Sequence, residues 1–271
     1  MTGTAIPVGA ASAARSASGR LETQTVAVRT LDAATRAKAF ALFQHAYDGA
    51  DRSRFDHDLA EKQLVILLRD RSSNELKGFS TVLLREVSTR RGPGIVVFSG
   101  DTVIDRAYWG QKNLQLAFAK LLLTLKLRSP RRRLYWFLIS KGWRTYLLLA
   151  NTFVRAVPRF DTEDDRELRR MLDAHASARF GPQYDAERGI IRYASPHERV
   201  RTGLAPVAPD LLDNPHVRFF VERNPGHADG DELACLAEVR AIDLMKIGAR
   251  FSARALRGQG FSRSAAARSC R

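Results

Sequence analysis

Apolar and polar positions along the chain change period several times, and each change marks an element. In LDAATRAKAFALFQHAYD (31–48), Ala39, Leu42, Phe43 and Ala46 recur at helical spacing, with Asp32 placed as an N-cap. A short second helix is expected over RSRFDHDLAEK (52–62). The pattern then switches to strand-like runs, QLVILLRD (63–70) and LKGFSTVLLREV (76–87), joined by the turn-rich RSSNE, which predicts a β-hairpin. GPGIVVFSGDTVID (92–105) reads as a third strand, and the glycine inside its SG pair predicts a bulge. From about Lys112 to Leu127, Leu114, Phe118, Leu121, Leu122 and Leu125 line one face of a helix that Pro130 stops.

LYWFLIS (134–140) is almost wholly apolar, as a strand covered on both faces is. KGWRTYLLLANTFVRAV (141–157) predicts another helix, ended by Pro158. An antiparallel start thus passes into a β-α-β crossover with two parallel strands. Further on, a helix with an acidic first turn is expected over 161–181 and a short strand in RGIIRYA (188–194). The proline-bearing 200–215 reads as a loop, HVRFFVERNPG (216–226) as a strand into a turn, and GDELACLAEV (230–239) as a strand or short helix. A final helix is expected over 241–256. The ends, 1–24 and 256–271, read as disordered tails around a single domain over 25–255 with an insertion near 161–213.

At 271 residues and 45% hydrophobic composition, the chain has enough apolar material for a core. Its 44 Lys and Arg against 29 Asp and Glu give a net charge of +15, which favours anionic partners without choosing among them. Its two cysteines, Cys235 and Cys270, set up neither a disulfide framework nor a zinc pattern, and a reducing, cytoplasmic setting is the simpler expectation. No metal site is expected: His57 and Glu61 share a helical face at i, i+4, but no further ligands accompany them. The apolar stretches are too short or too charged to span a bilayer. The run LLLTLKLRSPRRRLYWF (121–137) joins an apolar helix end to arginines. It suits an anionic membrane surface, an acidic carrier protein, nucleic acid or plain solvent, with nucleic acid the disfavoured partner.

The turn VIDRAYWGQKN (103–113) links the bulged strand to a helix N-terminus, a common anion-binding arrangement. Here it resembles the GNAT superfamily of N-acetyltransferases, in which a bulged strand, a glycine-rich turn and a helix are followed by a strand that splays away. The resemblance covers about residues 27–160, with Asn214–Val239 expected to supply a last hairpin of the sheet. The family's turn has Arg or Gln, two residues, Gly, one residue, then Gly or Ala. This chain keeps Val103, Tyr108 and Gly110 but has Ala107 and Lys112 at the other two places. The resemblance implies an α/β (α+β) fold: a mixed sheet with a central splayed β-α-β crossover and flanking helices.

It also implies N-acyl transfer from a phosphopantetheine thioester to a small amine or amino acid, with no permanently bound cofactor. The co-substrate is acyl-CoA or an acyl group on an acidic acyl carrier protein. Val103, Ile104, Gly110, Gln111, Lys112 and Asn113 then meet the donor arm and its phosphate. Lys112 hinders close backbone approach to a diphosphate, while Gln111, Lys112 and Asn113 offer donors and a charge to a phosphate. The other reading of the turn is a plain joint between strand and helix. Asp101 on the bulged strand is the base candidate, Tyr146 the proton donor and Ser140 its alternative. Lys141 and Arg144 put cations where the helix dipole disfavours them, so each is expected to meet a substrate carboxylate, a donor phosphate or a neighbouring acid. The rival expectation is a basic, non-catalytic binding protein, for nucleic acid or an anionic membrane, on a degenerate version of the same scaffold.

Overall fold

Alternation along the strands decides how the chain folds. In the computed structural model, which describes residues 19–46, 50–163, 165–193 and 207–249, strand β5 (Arg133–Ser140) sends Leu134, Trp136 and Leu138 to one face and Tyr135 and Phe137 to the other. All five are buried, so β5 is central and needs helices on both sides. It pairs in parallel with β4 (Gly92–Ile104) and antiparallel with β9 (Glu232–Glu238).

On the other side of β4 lie β3 (Leu76–Thr89), β2 (Leu64–Asp70) and β1 (Leu21–Ala27), antiparallel in succession. Beyond β9 come β8 (Ile190–Ile191) and β7 (Tyr184–Asp185), and β6 (Ala156–Val157) also pairs with β9. This is the expected mixed sheet built on a β-α-β crossover.

One face carries α1 (Ala33–Ala46), α2 (Arg52–Ala60) and α5 (Arg166–Phe180). The other carries α3 (Asn113–Arg128), α4 (Trp143–Thr152), α6 (Pro215–Arg223) and a helix over 241–249. Ala117, Phe118, Leu121 and Leu122 are the buried stripe of α3. Each large side chain there contributes about 1.5–3 kcal/mol relative to exposure.

Three expectations are corrected. β1 begins at Leu21, inside the stretch read as a tail; only Leu21 of LETQTVA is fully buried, so its apolar pattern carries almost no signal. HVRFFVERNPG is not a strand: Asn214 accepts from the N–H groups of His216 and Val217, Pro215 occupies the first turn, and Val217 and Phe220 are buried at i, i+3. Asn214–Val239 is therefore helix α6 and one strand, not a hairpin. The stretch 161–213 contributes α5, β7, β8 and a 3-10 turn at Pro209–Asp213. Residues 1–18 of the tail assigned to 1–24, and the tail assigned to 256–271 with Cys270, lie outside the described residues.

Candidate active site

β4 and β5 are hydrogen-bonded only from Gly94–Arg133 to Ser99–Leu138. Beyond that point they part, and β4 from Gly100 onward has a partner on the β3 side alone. The β3–β4 register slips at the same place: Ser80 faces Thr102 and Val82 faces Ser99, so Gly100 and Asp101 together oppose Thr81. That is the bulge the SG pair predicted. Gly100 is required by space: a Cβ there would lie 2.5 Å from the Thr81 Oγ1.

A cavity of about 1340 Å³ opens at the parting and reaches both faces of the sheet. On one side it is lined by Phe55, Asp58, Glu61 and Arg179, and on the other by Phe118, Leu122, Leu148 and Phe153. Small-molecule pockets are usually ~300–1,000 Å³, so this one has room for an extended ligand and a second molecule. The N-termini of α3 and α4 both border it. Neither Lys112 nor Gly142, the two N-cap residues, supplies a side-chain cap. Uncapped N–H groups at the carboxyl ends of two adjacent parallel strands form an electropositive crevice.

Asp101 lines the cavity half-buried, and burial pushes its carboxyl above the ordinary range, while the charge of Lys62 opposes the shift. Lys62 is buried, and its Nζ donates to the Asp58 carbonyl (2.8 Å) and lies 3.8 Å from the Glu61 carboxylate. Burial pulls the Lys62 ammonium below its usual range. Arg179 bonds Glu61 at 3.0 Å, which holds that carboxyl low, and stacks over Phe98 with 5.0 Å to the ring centre. Glu61 also faces His57 at 3.9 Å.

Across the cavity, Tyr193 donates to Glu232 (2.7 Å), and the Lys141 Nζ lies 3.9 Å from the other Glu232 oxygen. Burial pushes the Glu232 carboxyl up, and the Asp101 charge adds to that.

The sequence-derived candidates divide accordingly. Asp101, Lys112, Lys141 and Arg144 line the cavity. Lys141 is met by the acid Glu232, whereas Arg144 is exposed and stacks on Trp143, 5.0 Å from its ring centre. Tyr146, the expected proton donor, is not among the residues that line the cavity. It is fully buried among Phe219 and Phe220, and its hydroxyl donates to the Pro158 carbonyl at 3.3 Å. Ser140 is likewise buried, donating to the Gly142 carbonyl at 2.8 Å.

In the turn, Gly110 adopts φ +88°, a conformation that favours glycine. The amides of Gln111 and Asn113 are committed to β1. Gln111 accepts from the Leu21 N–H and donates to the Gly19 carbonyl, and Asn113 donates to the Leu21 carbonyl. Val103 is buried against the α1–α2 layer, and the Ile104 carbonyl accepts from the Trp109 indole at 2.8 Å. Any phosphate at this end is therefore left the backbone N–H groups of the first α3 turn and the exposed Lys112 ammonium.

Lys62, Arg179, Tyr193 and Glu232 are the site residues that sequence reasoning missed. They come from separate elements and share no spacing that would have joined them. Among the described residues, no group of three His, Cys, Asp or Glu is placed to hold a metal.

No protein-family model matches the sequence, and no curated protein matches it. Among solved structures, the chain is similar to the GNAT family N-acetyltransferase YhbS from Escherichia coli in complex with CoA, at 15% identity and TM-score 0.36, covering 57% of this chain and 73% of that one. It is similar to Arabidopsis thaliana NAA60 in complex with a bisubstrate analogue, at 14% identity and TM-score 0.38, covering 51% and 88%. It is also similar to a conserved Enterococcus faecalis V583 protein named a probable N-acyltransferase, at 15% identity and TM-score 0.38, covering 51% of this chain. The chain spans only 34% of that protein's length.

Proposed function

We propose that the chain is an N-acyltransferase that moves an acyl group from a phosphopantetheine thioester, of acyl-CoA or an acyl carrier protein, to the amine of a small molecule or amino acid. The observation that carries this reading is the parting of β4 and β5 after Ser99 and Leu138, at a bulge, into a cavity bordered by two uncapped helix N-termini. A thin pantetheine arm fits such a slot and can pair with the free edge of β4. Its phosphate then meets the first turn of α3 and Lys112.

In this reading the amine nitrogen attacks the thioester carbonyl carbon, and Asp101 takes the proton that the nitrogen loses. A backbone N–H at the bulge donates to the oxygen as negative charge develops. The C–S bond then breaks, and the departing thiolate takes a proton from the hydroxyl of Tyr193, which lines the cavity. Because burial raises the Asp101 carboxyl, the base is active only above that raised value. Turnover falls on the acid side at a higher pH than an ordinary carboxylate would give.

The test is mass spectrometry of the purified protein for co-purified acyl-pantetheine compounds, followed by thiol release from acyl-CoAs of several lengths against a panel of amines. Thiol release that requires an amine and falls about 100-fold or more in Asp101→Asn supports the reading. Thiol release that is independent of the amine, or untouched by Asp101→Asn, overturns the assigned chemistry.

A further inference from the structure

Charge and exposed apolar surface are segregated in this molecule. Between Arg106 and Phe160 the chain has twelve Lys or Arg and no Asp or Glu. That stretch builds α3, β5, α4 and their connections, and so most of one helical layer. The same side of the sheet holds the exposed large apolar groups among the described residues. They include Trp109, Leu116, Leu123 and Leu127 around α3, and Ile242 and Met245 on the helix over 241–249. The opposite layer of α1, α2 and α5 contributes none.

On α3 the outward stripe is Leu116, Lys120, Leu123 and Leu127, at i, i+4, i+7 and i+11, directly opposite the buried stripe. Leu127 is 71% exposed and Trp109, at the start of the helix, 58%. At the helical rise per residue, the stripe from Leu116 to Leu127 runs over roughly 17 Å.

We propose that this face of α3 docks peripherally on an anionic lipid bilayer. Trp109, Leu116, Leu123 and Leu127 enter the acyl boundary, and the exposed Lys120, Arg128 and Arg131 meet the headgroups. A bilayer interface uses both halves of the pattern: leucines leave water while lysine stems lie along the apolar surface and their ammoniums reach the anionic layer. Nucleic acid would answer the cations and leave the leucines in water. Among the described residues no helix is long and apolar enough to cross a membrane, so the contact is one of lying on the surface. The exposed cavity-lining residues Lys112, Gln115, Arg144 and Leu148 lie on the same side, which sets the mouth of the cavity beside the bilayer.

The test uses the full chain in flotation with phosphatidylcholine vesicles, with and without phosphatidylglycerol. Binding to the anionic vesicles that weakens with salt is expected, with little binding to the neutral ones. The triple variant Leu116→Ser/Leu123→Ser/Leu127→Ser should lose about tenfold or more in binding. Lys120→Gln should lose about fivefold at low salt. Brominated lipid should quench tryptophan fluorescence on binding, and Trp109→Phe should remove much of that quenching; this arm stands even if the leucine variant fails to fold.

Equal binding to both vesicle types, leucine or lysine variants that bind like the wild type, or an absence of quenching each overturn the proposal. So does saturable binding of RNA or an acidic protein that displaces the vesicles and is indifferent to the leucines. Vesicle binding does not depend on acyl transfer, and thiol release measured without vesicles bears on acyl transfer alone.

Discussion

The bulge at Gly100 rests on a steric claim that a small mutational set can refute. In Gly100→Ala the new Cβ would sit 2.5 Å from the Thr81 Oγ1, 3.3 Å from the Lys62 Cε and 3.5 Å from the Phe98 Cε1. The first distance is far inside van der Waals contact, and Thr81 is 1% exposed with strand neighbours on both sides, so it has little room to yield. Overpacking of this kind costs about 1–3 kcal/mol, or roughly 2–10 °C in melting temperature for a domain of this size.

The Thr81 hydroxyl is buried without a hydrogen-bond partner, so deleting it forfeits no bond. Thr81→Ala alone should cost only about 1 kcal/mol for the lost methyl. In the double variant Gly100→Ala/Thr81→Ala the clash is gone, and the two losses should fall short of additivity by about 1 kcal/mol or more. Thr81→Val keeps both branches on Cβ and should not rescue. The assay is urea unfolding of the wild type, the three single variants and the two double variants. If Gly100→Ala is as stable as the wild type, or costs the same amount whether or not Thr81→Ala accompanies it, glycine is not there for space and the account of the bulge fails.

Other outcomes follow from the same structure. Arg155 bonds Asp165 (2.5 Å), Glu167 (3.1 Å) and the nearly buried Glu238 (2.5 Å), so Arg155→Met leaves three carboxylates around an apolar side chain and should destabilise by about 3–5 kcal/mol in chemical denaturation. Gln111→Ala removes two bonds to the start of β1, about 1 kcal/mol each. Hydrogen exchange should accelerate in Leu21–Ala27 while β3–β5 stay protected, and Lys112→Ala should leave β1 unaffected. Asp70 accepts from the Ser72 hydroxyl, from two backbone N–H groups and from the Tyr108 hydroxyl, which hold its carboxyl well below the usual range, the Ser72 hydroxyl most of all. Its folded value is below its unfolded one, so its stabilisation is complete above about pH 4 and is lost as pH falls. Unfolding measured across pH should therefore show the gap between wild type and Asp70→Asn closing below that point; a gap constant with pH would contradict it.

Local pattern carried the order of elements from α1 to α4. Helical and strand periods are set by neighbours a few residues apart, and LYWFLIS, with apolar side chains in both directions, has no stable place except between two helical layers. The SG pair announced the bulge for the same reason, since backbone space is a local demand. Sequence alone also concentrated the positive charge in the stretch from Arg106 to Phe160. Tertiary structure decided the rest. β1 is an edge strand whose pairing with β2, and whose clamp to Gln111 and Asn113 about 90 positions along the chain, leave no periodic trace. Whether Tyr146 or Tyr193 faces the cavity depends on how α4 packs against α6 and where β8 meets β9. Lys62, Asp101 and Glu232 come from separate elements, and only the packed sheet and its helices bring their charges within reach of one another. Spacing along a chain records contacts within a turn or a pleat, whereas the electrostatics of a cleft are set by which elements the core brings together.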